Sequence, residues 1–314
     1  MKEVQVIMSS YNGEKFIKKQ IDSILNQQNV EVSLLIRDDG SKDGTIEILR
    51  DYENRGLIKV IYGKNIGPTA SFLKLIDECD NADYYSFSDQ DDVWLEDKLS
   101  TAVKILEENS VNKRPLLYCS ALQRVDADLT YEKIQKFKRL RLNIYSMLVR
   151  ERLAGCTFVF NNCLKNILNE SSKINYNYPH DSWTVLVCYA CGGEILFDSH
   201  PHILFRRYGT NVSVDGGNIV KRIKHEFRYF RKYKNQRYQT VNILMKYREN
   251  YIVEKELFYK IIHYKDNWKN TINLAFDKRF DCGILICNII NRVDRKSTRL
   301  NSSHMPKSRM PSSA

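Results

Sequence analysis

Short apolar runs alternate with segments that are apolar on one side only along the first third of the chain. In the first such segment, Ile17, Ile21, Ile24 and Leu25 have the spacing of an amphipathic helix. The pattern predicts strands at 4–8, 32–36, 58–62 and 84–87, followed by helices at 17–25, 45–52, 68–76 and 95–106. Alternation of this kind predicts an α/β fold with a mainly parallel central sheet.

The alternation weakens beyond Pro115. Further elements are predicted as strands at 116–120, 157–160, 195–197 and 203–205, and as a helix at 181–190. From Asn218 onward the pattern is basic and helical. We therefore predict an α/β domain at 1–217, ending near Gly216-Gly217, and a basic helical region at 218–294. Residues 295–314 are polar, rich in serine and similar to translated vector sequence, so we expect a non-native tail there.

The composition is that of a globular protein. The chain has 314 residues, of which 43% are hydrophobic, with 13 glycines and 6 prolines. No apolar run reaches the roughly 18–20 residues that a transmembrane helix needs. The N-terminus lacks the long apolar core of a secretory signal, so we expect a cytoplasmic protein.

Eight scattered cysteines are expected to be reduced thiols in that compartment. Cys188 and Cys191 form a C-x-x-C pair inside an apolar run. Two interpretations are open. We favour buried core thiols over a metal or redox site, because no second pair has suitable spacing.

The positive charge is concentrated in one stretch. The net charge is +11, and residues 221–237 carry eight Lys or Arg against one Glu. Three interpretations of such a stretch are open: it binds nucleic acid, it binds anionic lipid, or it is exposed to solvent. The chain has no signature of a nucleic-acid module, so we expect no nucleic-acid partner. Interleaved aromatics such as Phe227 and Tyr233 fit docking on an anionic membrane surface, and a solvated helical cap is the alternative.

Polar and acidic residues follow three of the predicted strands. Tyr11-Asn12 follows the first, Asp38-Asp39 the second and Asp89–Asp92 the fourth. In open α/β sheets, ligands bind outside the carboxyl ends of the strands. We therefore expect these residues to converge on one crevice.

The stretch FSDQDDVW holds Asp89, Asp91 and Asp92 within four residues. In an extended segment residues i and i+2 point the same way, so Asp89 and Asp91 would share a ligand, while Asp92 points elsewhere or caps the next helix. Close carboxylates repel unless a cation lies between them, and Mg²⁺ or Mn²⁺ takes carboxylate and phosphate oxygens. A solvated turn is the alternative. The position at a strand end favours the cation site.

Two other segments also have two interpretations each. RDDGSKDGT is typical of a turn with Asp43 capping a helix, or else Asp38 or Asp39 accepts hydrogen bonds from a base or a ribose. In YPHDSW, Asp181 caps a helix, acts as a general base near apolar Trp183, or does both. No G-x-G-x-x-G or P-loop motif is present, which disfavours dinucleotide-binding and P-loop proteins.

Together these motifs resemble bacterial family 2 glycosyltransferases, especially the rhamnosyltransferase-like branch. The resemblance covers about residues 1–215 and rests on segments in the family's order: VQVIMSSYNGEKFIKKQIDSILNQ, IRDDGSKDGT, NIGPTASF, FSDQDDVW, AGCTFVFN, HDSW and FRRYGTNVS. It implies a GT-A fold, a nucleoside-diphosphate sugar donor, a divalent cation and inversion at the anomeric carbon.

The resemblance also implies roles for individual residues. The nucleoside pocket would be lined by Ser9, Tyr11, Asp38 and Asp39. Asp91 would be the main metal ligand, with Asp89 by the ribose or the metal. Asp181 would be the catalytic base, and the acceptor side would include Gly155, Cys156, His180 and Trp183.

One motif departs from the family pattern. The family usually has a sequence like YRxHGxN, whose His reaches the metal or the diphosphate, whereas this chain has FRRYGTN with Tyr208 in that place. A neutral phenol is a poor ligand for Mg²⁺. We expect weaker metal binding, or a larger share of the diphosphate charge on Arg206 or Arg207. His200 and His202 are expected on a loop between two strands.

The resemblance implies transfer of a sugar, rhamnose being one candidate, from a UDP- or dTDP-linked donor to a glycan or lipid-linked acceptor in cell-surface polysaccharide synthesis. The location would be cytoplasmic, with peripheral attachment at the inner face of the plasma membrane as an open alternative. Two other classes fit less well. A basic nucleic-acid binder is disfavoured by the acidic crevice and by the lack of a nucleic-acid module signature. A nucleotidyltransferase would need a Gly-rich basic loop near the N-terminus, and SSYNGEKF is not such a loop. A degenerate glycosyltransferase that binds without turnover is the main alternative.

Overall fold

A computed structural model describes residues 1–110, 113–137, 139–172, 179–208, 236–248, 252–264 and 268–289, together with 224, 226–228 and 266. The predicted boundary near Gly216-Gly217 and the predicted tail at 295–314 lie outside these residues. Most of the basic stretch 221–237 also lies outside them.

The described residues form nine strands. They are β1 (Glu3–Ser10), β2 (Glu31–Asp38), β3 (Lys59–Tyr62), β4 (Tyr84–Ser88), β5 (Val93–Trp94), β6 (Leu116–Val125), β7 (Tyr131–Ile134), β8 (Val159–Asn161) and β9 (Glu194–Arg206).

The helices of the same residues begin with α1 (Ile17–Leu25), α2 (Thr45–Asn54), α3 (Pro68–Glu78), α4 (Lys98–Glu108), α5 (Ile144–Val149), α6 (Asn162–Ser172) and α7 (His180–Ala190). They continue with α8 (Gln236–Arg248), α9 (Lys255–Ile262) and α10 (Trp268–Phe276). A short 3-10 turn at Gly155–Thr157 precedes β8.

The strands make one mixed sheet in the order β3-β2-β1-β4-β8-β6-β9-β5, with β7 paired to β6. The first four strands of that order are parallel, β8 is antiparallel to both of its neighbours, and β6 runs parallel to β9. The predicted α/β fold is confirmed, and the parallel part of the sheet is the part that the alternating pattern predicted.

Helices cover both faces of the sheet. Along β1 the side chains of Val6 and Met8 join one hydrophobic cluster, and that of Ile7 joins the other, as alternation along a strand requires. The first cluster includes α1 and α4, and the second includes α3 and α7. Core residues of α8, α9 and α10, such as Leu244 and Leu274, belong to this second cluster too.

The start of α3 illustrates how local sequence sets an element. Gly67 has φ +82°, a conformation that side chains disfavour, and Pro68 occupies the first turn as predicted. The apolar residues Phe72, Leu75 and Ile76 then fall on the buried side. The loop after β3 therefore passes directly into a helix at the carboxyl end of the sheet.

Two predicted elements differ from the structure. The helix expected at 95–106 is Lys98–Glu108, because Val93–Trp94 pairs with β9 as a short strand first. The strands expected at 195–197 and 203–205 are one strand, β9, which stays paired with β6 through register shifts near Ala121. His200 and His202 consequently lie within a strand, and the prediction of a loop was wrong.

Cys188 is fully buried in the core and Cys191 packs at its edge, as the preferred interpretation of the C-x-x-C pair predicted. None of the helices in the described part of the chain is long and apolar enough to cross a membrane.

Candidate active site

The carboxyl ends of β1, β2 and β4 lie side by side. Ser10 pairs with Asp38, and Met8 pairs with Ser88, so the loops that follow these strands meet at one edge of the sheet. Asn12 N–H donates to Ser41 Oγ at 2.9 Å, which joins the first two loops. The convergence predicted from the sequence is confirmed.

Gln90 fastens the acidic loop to the loop after β1. Its Oε1 accepts from Tyr11 N–H at 2.9 Å and from Ser10 Oγ at 3.1 Å, and its Nε2 donates to the Tyr11 carbonyl oxygen at 3.1 Å. A side chain at Gly13 would come within 2.5 Å of Gln90 Oε1. Sequence reasoning missed Gln90 because the middle position of the acidic motif carries no charge.

Asp38 and Asp39 are both buried and bonded within the protein. Asp38 Oδ1 accepts from Gly40 N–H at 3.1 Å and Ser41 N–H at 2.9 Å, and Oδ2 accepts from the Ser41 hydroxyl. Asp39 accepts from the guanidinium of Arg37 and from the backbone N–H groups of residues 66 and 67 at 2.9 and 2.8 Å. Both carboxylates thus shape the crevice, and their contact with a nucleoside stays a prediction.

The other predicted nucleoside contacts differ in access. The ring of Tyr11 is 43% exposed at the mouth of the crevice. Ser9 lies deeper, and its hydroxyl donates to Ser71 Oγ at 2.7 Å. An exposed aromatic ring at the end of a central strand can stack on a base, so Tyr11 is the better placed of the two.

The three carboxylates of the acidic motif have different surroundings. Asp91 Oδ2 accepts a hydrogen bond from the Tyr208 hydroxyl at 2.6 Å. Asp92 is 1% exposed, and its Oδ1 accepts from Arg206 N–H at 3.2 Å. Asp89 is only partly buried.

The expectation that Asp92 points away from Asp89 was wrong. One oxygen of each carboxylate and the Sγ atom of Cys156 lie within 4.8 Å of one another. Strand β4 ends at Ser88, so the alternation of an extended strand does not continue through the motif. Cys156, expected on the acceptor side, is 3% exposed and lies beneath the acidic residues.

Burial and mutual repulsion disfavour the negative charge of these carboxyls. Burial, followed by the charges of Asp91 and Asp181, raises the pKa of Asp89 to about 7. Burial and the charges of Asp89 and Asp91 raise the pKa of Asp92 well above its usual value. Asp92 Oδ2 is buried without a nitrogen or oxygen donor among the described residues, and the Cys156 thiol is the side-chain donor at this carboxyl. Crowded carboxylate oxygens of this kind fit a hard divalent cation such as Mg²⁺ or Mn²⁺.

Arg206 does not face the crevice as its predicted role requires. The residue is 2% exposed, its Nε donates to the Asp91 carbonyl oxygen at 2.8 Å, and its Nη1 donates to the Ala127 carbonyl oxygen at 2.6 Å. The guanidinium also lies over the ring of Phe16, 4.7 Å from its centroid. Arg206 therefore supports the acidic loop from behind, and direct contact with a diphosphate remains predicted for partly exposed Arg207 alone.

Lys98 is a buried amine that sequence reasoning missed. Its Nζ donates to Ser86 Oγ at 2.9 Å and lies 3.4 Å from the centroid of the Trp94 ring. Burial lowers its pKa to about 7, while the negative charge of Asp92 opposes that shift. A lysine at the start of an amphipathic helix is usually exposed, so no sequence signal marks it.

Asp181 lies in the first turn of α7, close to Asp89. Its Oδ1 accepts from Ser182 N–H at 2.6 Å. A Cβ atom added to Gly155 would be 2.9 Å from Asp181 Cβ and 3.4 Å from His180 Nε2, so the glycine lets the two segments meet. The imidazole of His180 stacks on Phe72 with centroids 3.9 Å apart, and burial lowers its pKa. Trp183, expected at the acceptor side, is 1% exposed and belongs to the core.

Glu151 is a second carboxylate next to Asp181. Its Oε1 accepts from Leu153 N–H, and its Oε2 accepts from the Ser182 hydroxyl at 3.4 Å. Burial, followed by the charge of Asp181, raises the pKa of Glu151 to about 8. Residue 151 is far from residue 181 in sequence, so only the folded chain brings this pair together.

His200 and His202 take part in a different network. His202 is buried, with Nδ1 3.0 Å from Asp97 Oδ1 and Nε2 3.1 Å from Asp198 Oδ2. His200 Nδ1 lies 3.2 Å from Asp198 Oδ1. These contacts join β9 to the start of α4.

The sheet order and the acidic crevice at the carboxyl ends of its parallel strands define a GT-A nucleotide-sugar transferase fold. The structure resembles S. aureus TarS 1-349 in complex with UDP-GlcNAc, with a TM-score of 0.58 at 16% identity, over 96% of this chain and 92% of that one. It also resembles mannosyltransferase PcManGT from Pyrobaculum calidifontis in complex with GDP-Man and Mn²⁺, with a TM-score of 0.50 at 14% identity, over 96% and 76% of the two chains. These likenesses concern the fold.

Residues 5–146 match the model of the family described as Glycosyl transferase family 2. The dTDP-rhamnosyl transferase RfbG of Shigella flexneri is 27% identical over 233 residues, which are 70% of this chain and 77% of that protein. An uncharacterized glycosyltransferase of Rickettsia typhi, RT0329, is 27% identical over 57% of each chain. Over residues 5–146 the chain is therefore similar to family 2 glycosyl transferases, and its fold is that of nucleotide-sugar transferases.

Proposed function

We propose that the protein is an inverting glycosyltransferase that moves a sugar from a UDP- or dTDP-linked donor to a hydroxyl of a glycan or lipid-linked acceptor in cell-surface polysaccharide synthesis. Rhamnose is the first sugar to test, since RfbG is named as a dTDP-rhamnosyl transferase. The observation that carries the proposal is the position of Asp181 beside Asp89, at the crevice that also receives Asp91.

Asp181 is the proposed general base. It accepts the proton of an acceptor hydroxyl, and the oxygen forms a bond to the anomeric carbon of the donor. The bond from that carbon to the diphosphate oxygen breaks, and the nucleoside diphosphate leaves with the electron pair. Attack opposite the leaving group inverts the configuration, and the proton on Asp181 then passes to solvent. A positioned base of this kind contributes about 10²–10⁴-fold to the rate.

Asp91 and Asp89 are the proposed ligands of a divalent cation, Mg²⁺ or Mn²⁺. Their carboxylate oxygens suit such an ion, and the mutual repulsion of Asp89, Asp91 and Asp92 favours a bound positive charge. When bound, the cation would supply charge neutralisation at the leaving diphosphate. We propose that Tyr11 and Asp39 line the nucleoside pocket, and that Asp38 and Ser9 lie deeper in the same pocket.

A panel of UDP- and dTDP-linked sugars tests the proposal, with release of nucleoside diphosphate as the signal. We expect one donor to be turned over with Mn²⁺ or Mg²⁺, and Asp181→Asn to lower that turnover about 10²–10⁴-fold while donor affinity is kept. Exposed Asp51, which pairs with Arg55 on α2, provides the matched control Asp51→Asn.

The outcomes separate the proposal from its alternative. Binding of a nucleotide sugar without turnover of any donor would support a degenerate, binding-only protein. Near-normal turnover by Asp181→Asn would remove Asp181 as the base.

We further propose peripheral docking on an anionic membrane at the cytoplasmic face, where lipid-linked acceptors would be reached. Helix α10 exposes Trp268, Ile272 and Phe276 at successive i, i+4 positions, which is the spacing of one helix face. Aromatic and basic residues together favour the interface of anionic membranes. Co-sedimentation with anionic vesicles at low salt tests the membrane docking. An absence of binding would contradict it and would favour the alternative, a helical cap exposed to solvent.

A further inference from the structure

The hydroxyl of Tyr208 donates a 2.6 Å hydrogen bond to Asp91 Oδ2. This bond engages one oxygen of the carboxylate. The other oxygen, Oδ1, accepts no hydrogen bond from the residues that the structure describes. Since Mg²⁺ and Mn²⁺ bind carboxylates through a single oxygen as well as through two, Asp91 can hold a cation while Tyr208 stays bonded to it.

The position of Tyr208 is fixed from two sides. Its ring packs against Phe16 with centroids 4.9 Å apart. Two residues earlier, Arg206 is bonded to the Asp91 carbonyl oxygen at 2.8 Å and through its N–H to Asp92 Oδ1 at 3.2 Å. The end of β9 is thus attached to the same loop that carries Asp91. The hydrogen bond from Tyr208 to Asp91 is therefore formed in the protein without a bound ligand.

We propose that Tyr208 is a positioning residue of the cation site, which orients Asp91 through its hydroxyl and does not itself ligate the ion. Hydrogen bonds to a ligating carboxylate fix its orientation, and their loss typically lowers metal affinity about 10–100-fold. The inference rests on the proposed function, since it takes Asp91 to be a metal ligand.

Titration calorimetry with UDP and dTDP, each with and without Mn²⁺, tests the proposal, and electron paramagnetic resonance of free Mn²⁺ counts the bound ion. We expect Tyr208→Phe to weaken Mn²⁺-dependent nucleotide binding about 10–100-fold and to leave metal-free binding unchanged. Tyr52→Phe is the matched control, because Tyr52 makes the same kind of bond, to Asp22, between α1 and α2.

Each result has a clear meaning. Equal Mn²⁺-dependent affinity in Tyr208→Phe and the wild type would overturn the positioning role, and tighter binding would show that the hydroxyl competes with the ion. Tyr208→His should restore Mn²⁺-dependent affinity above that of Tyr208→Phe, because imidazole can ligate directly. A wild-type protein whose nucleotide binding ignores Mn²⁺ would overturn the cation site itself, and the inference with it.

Discussion

The half-buried carboxyl of Glu151 is the basis of a prediction about stability and pH. Its pKa is raised from 4.5 to about 8 in the folded protein, chiefly by burial. The folded state therefore keeps a proton between these values that the unfolded state has released. By linkage, the free energy of unfolding falls as pH rises through this window. The difference of about 3.5 pKa units corresponds to at most about 5 kcal/mol.

Glu151→Gln removes this titration and keeps the shape of the side chain. Its Oε1 can still accept from Leu153 N–H, as the glutamate does. We expect variant and wild type to have similar stability near pH 4.5, where both side chains are neutral. By pH 8 the variant should be more stable by up to about 5 kcal/mol, and each kcal/mol corresponds to about 2–4 °C in melting temperature.

Melting curves recorded from pH 4.5 to 8.5 provide the measurement. Glu31→Gln is the control for the change from carboxyl to amide, because Glu31 is an exposed residue at the start of β2. Melting temperatures of Glu151→Gln and wild type that run parallel across this range would refute the account of Glu151 as a protonated neighbour of Asp181.

Two further substitutions test the site and the loop behind it. Gly155→Ala puts a Cβ atom 2.9 Å from Asp181 Cβ and should lower turnover about 10²-fold, because the base is displaced. Gly193→Ala is the control: its Cβ would lie 2.6 Å from the Pro115 carbonyl oxygen, away from the crevice. This control should lower stability and keep the turnover per folded molecule. Asp39→Ala leaves Arg37 buried without its partner, both side chains being 3% exposed, and should cost about 3–5 kcal/mol in denaturant unfolding; a loss below about 1 kcal/mol would contradict a buried ion pair.

The first half of the fold was predictable from sequence because its signals are local. Apolar runs of four or five residues ending in Gly, Asp or Asn mark the parallel strands, and Pro68 marks the start of α3. The same reasoning divided β9 in two, because residues 198–202 are polar and resemble a loop. Their polarity is satisfied in the fold, where His202 lies between Asp97 and Asp198.

Charged motif residues were harder to place, because burial depends on contacts distant in sequence. Arg206 resembles a diphosphate ligand in FRRYGTN, but it is buried against the loop that carries Asp91. Asp92 was expected to leave the cluster, and it lies next to Asp89 because the strand ends one residue before the motif. A motif thus predicts which residues lie close together. The direction of each side chain depends on where the preceding strand ends.

The two sides of the crevice differ in how far sequence can describe them. The proposed donor side is built from short segments after β1, β2 and β4, whose residues are recognisable by type and order. The proposed acceptor side, around Asp181, is built from contacts between distant segments, such as Gly155 against Asp181 and Glu151 against Ser182. Since the acceptor is recognised by the shape that such contacts make, substitutions at Gly155 and Glu151 are the ones that should change acceptor selection while the donor stays the same.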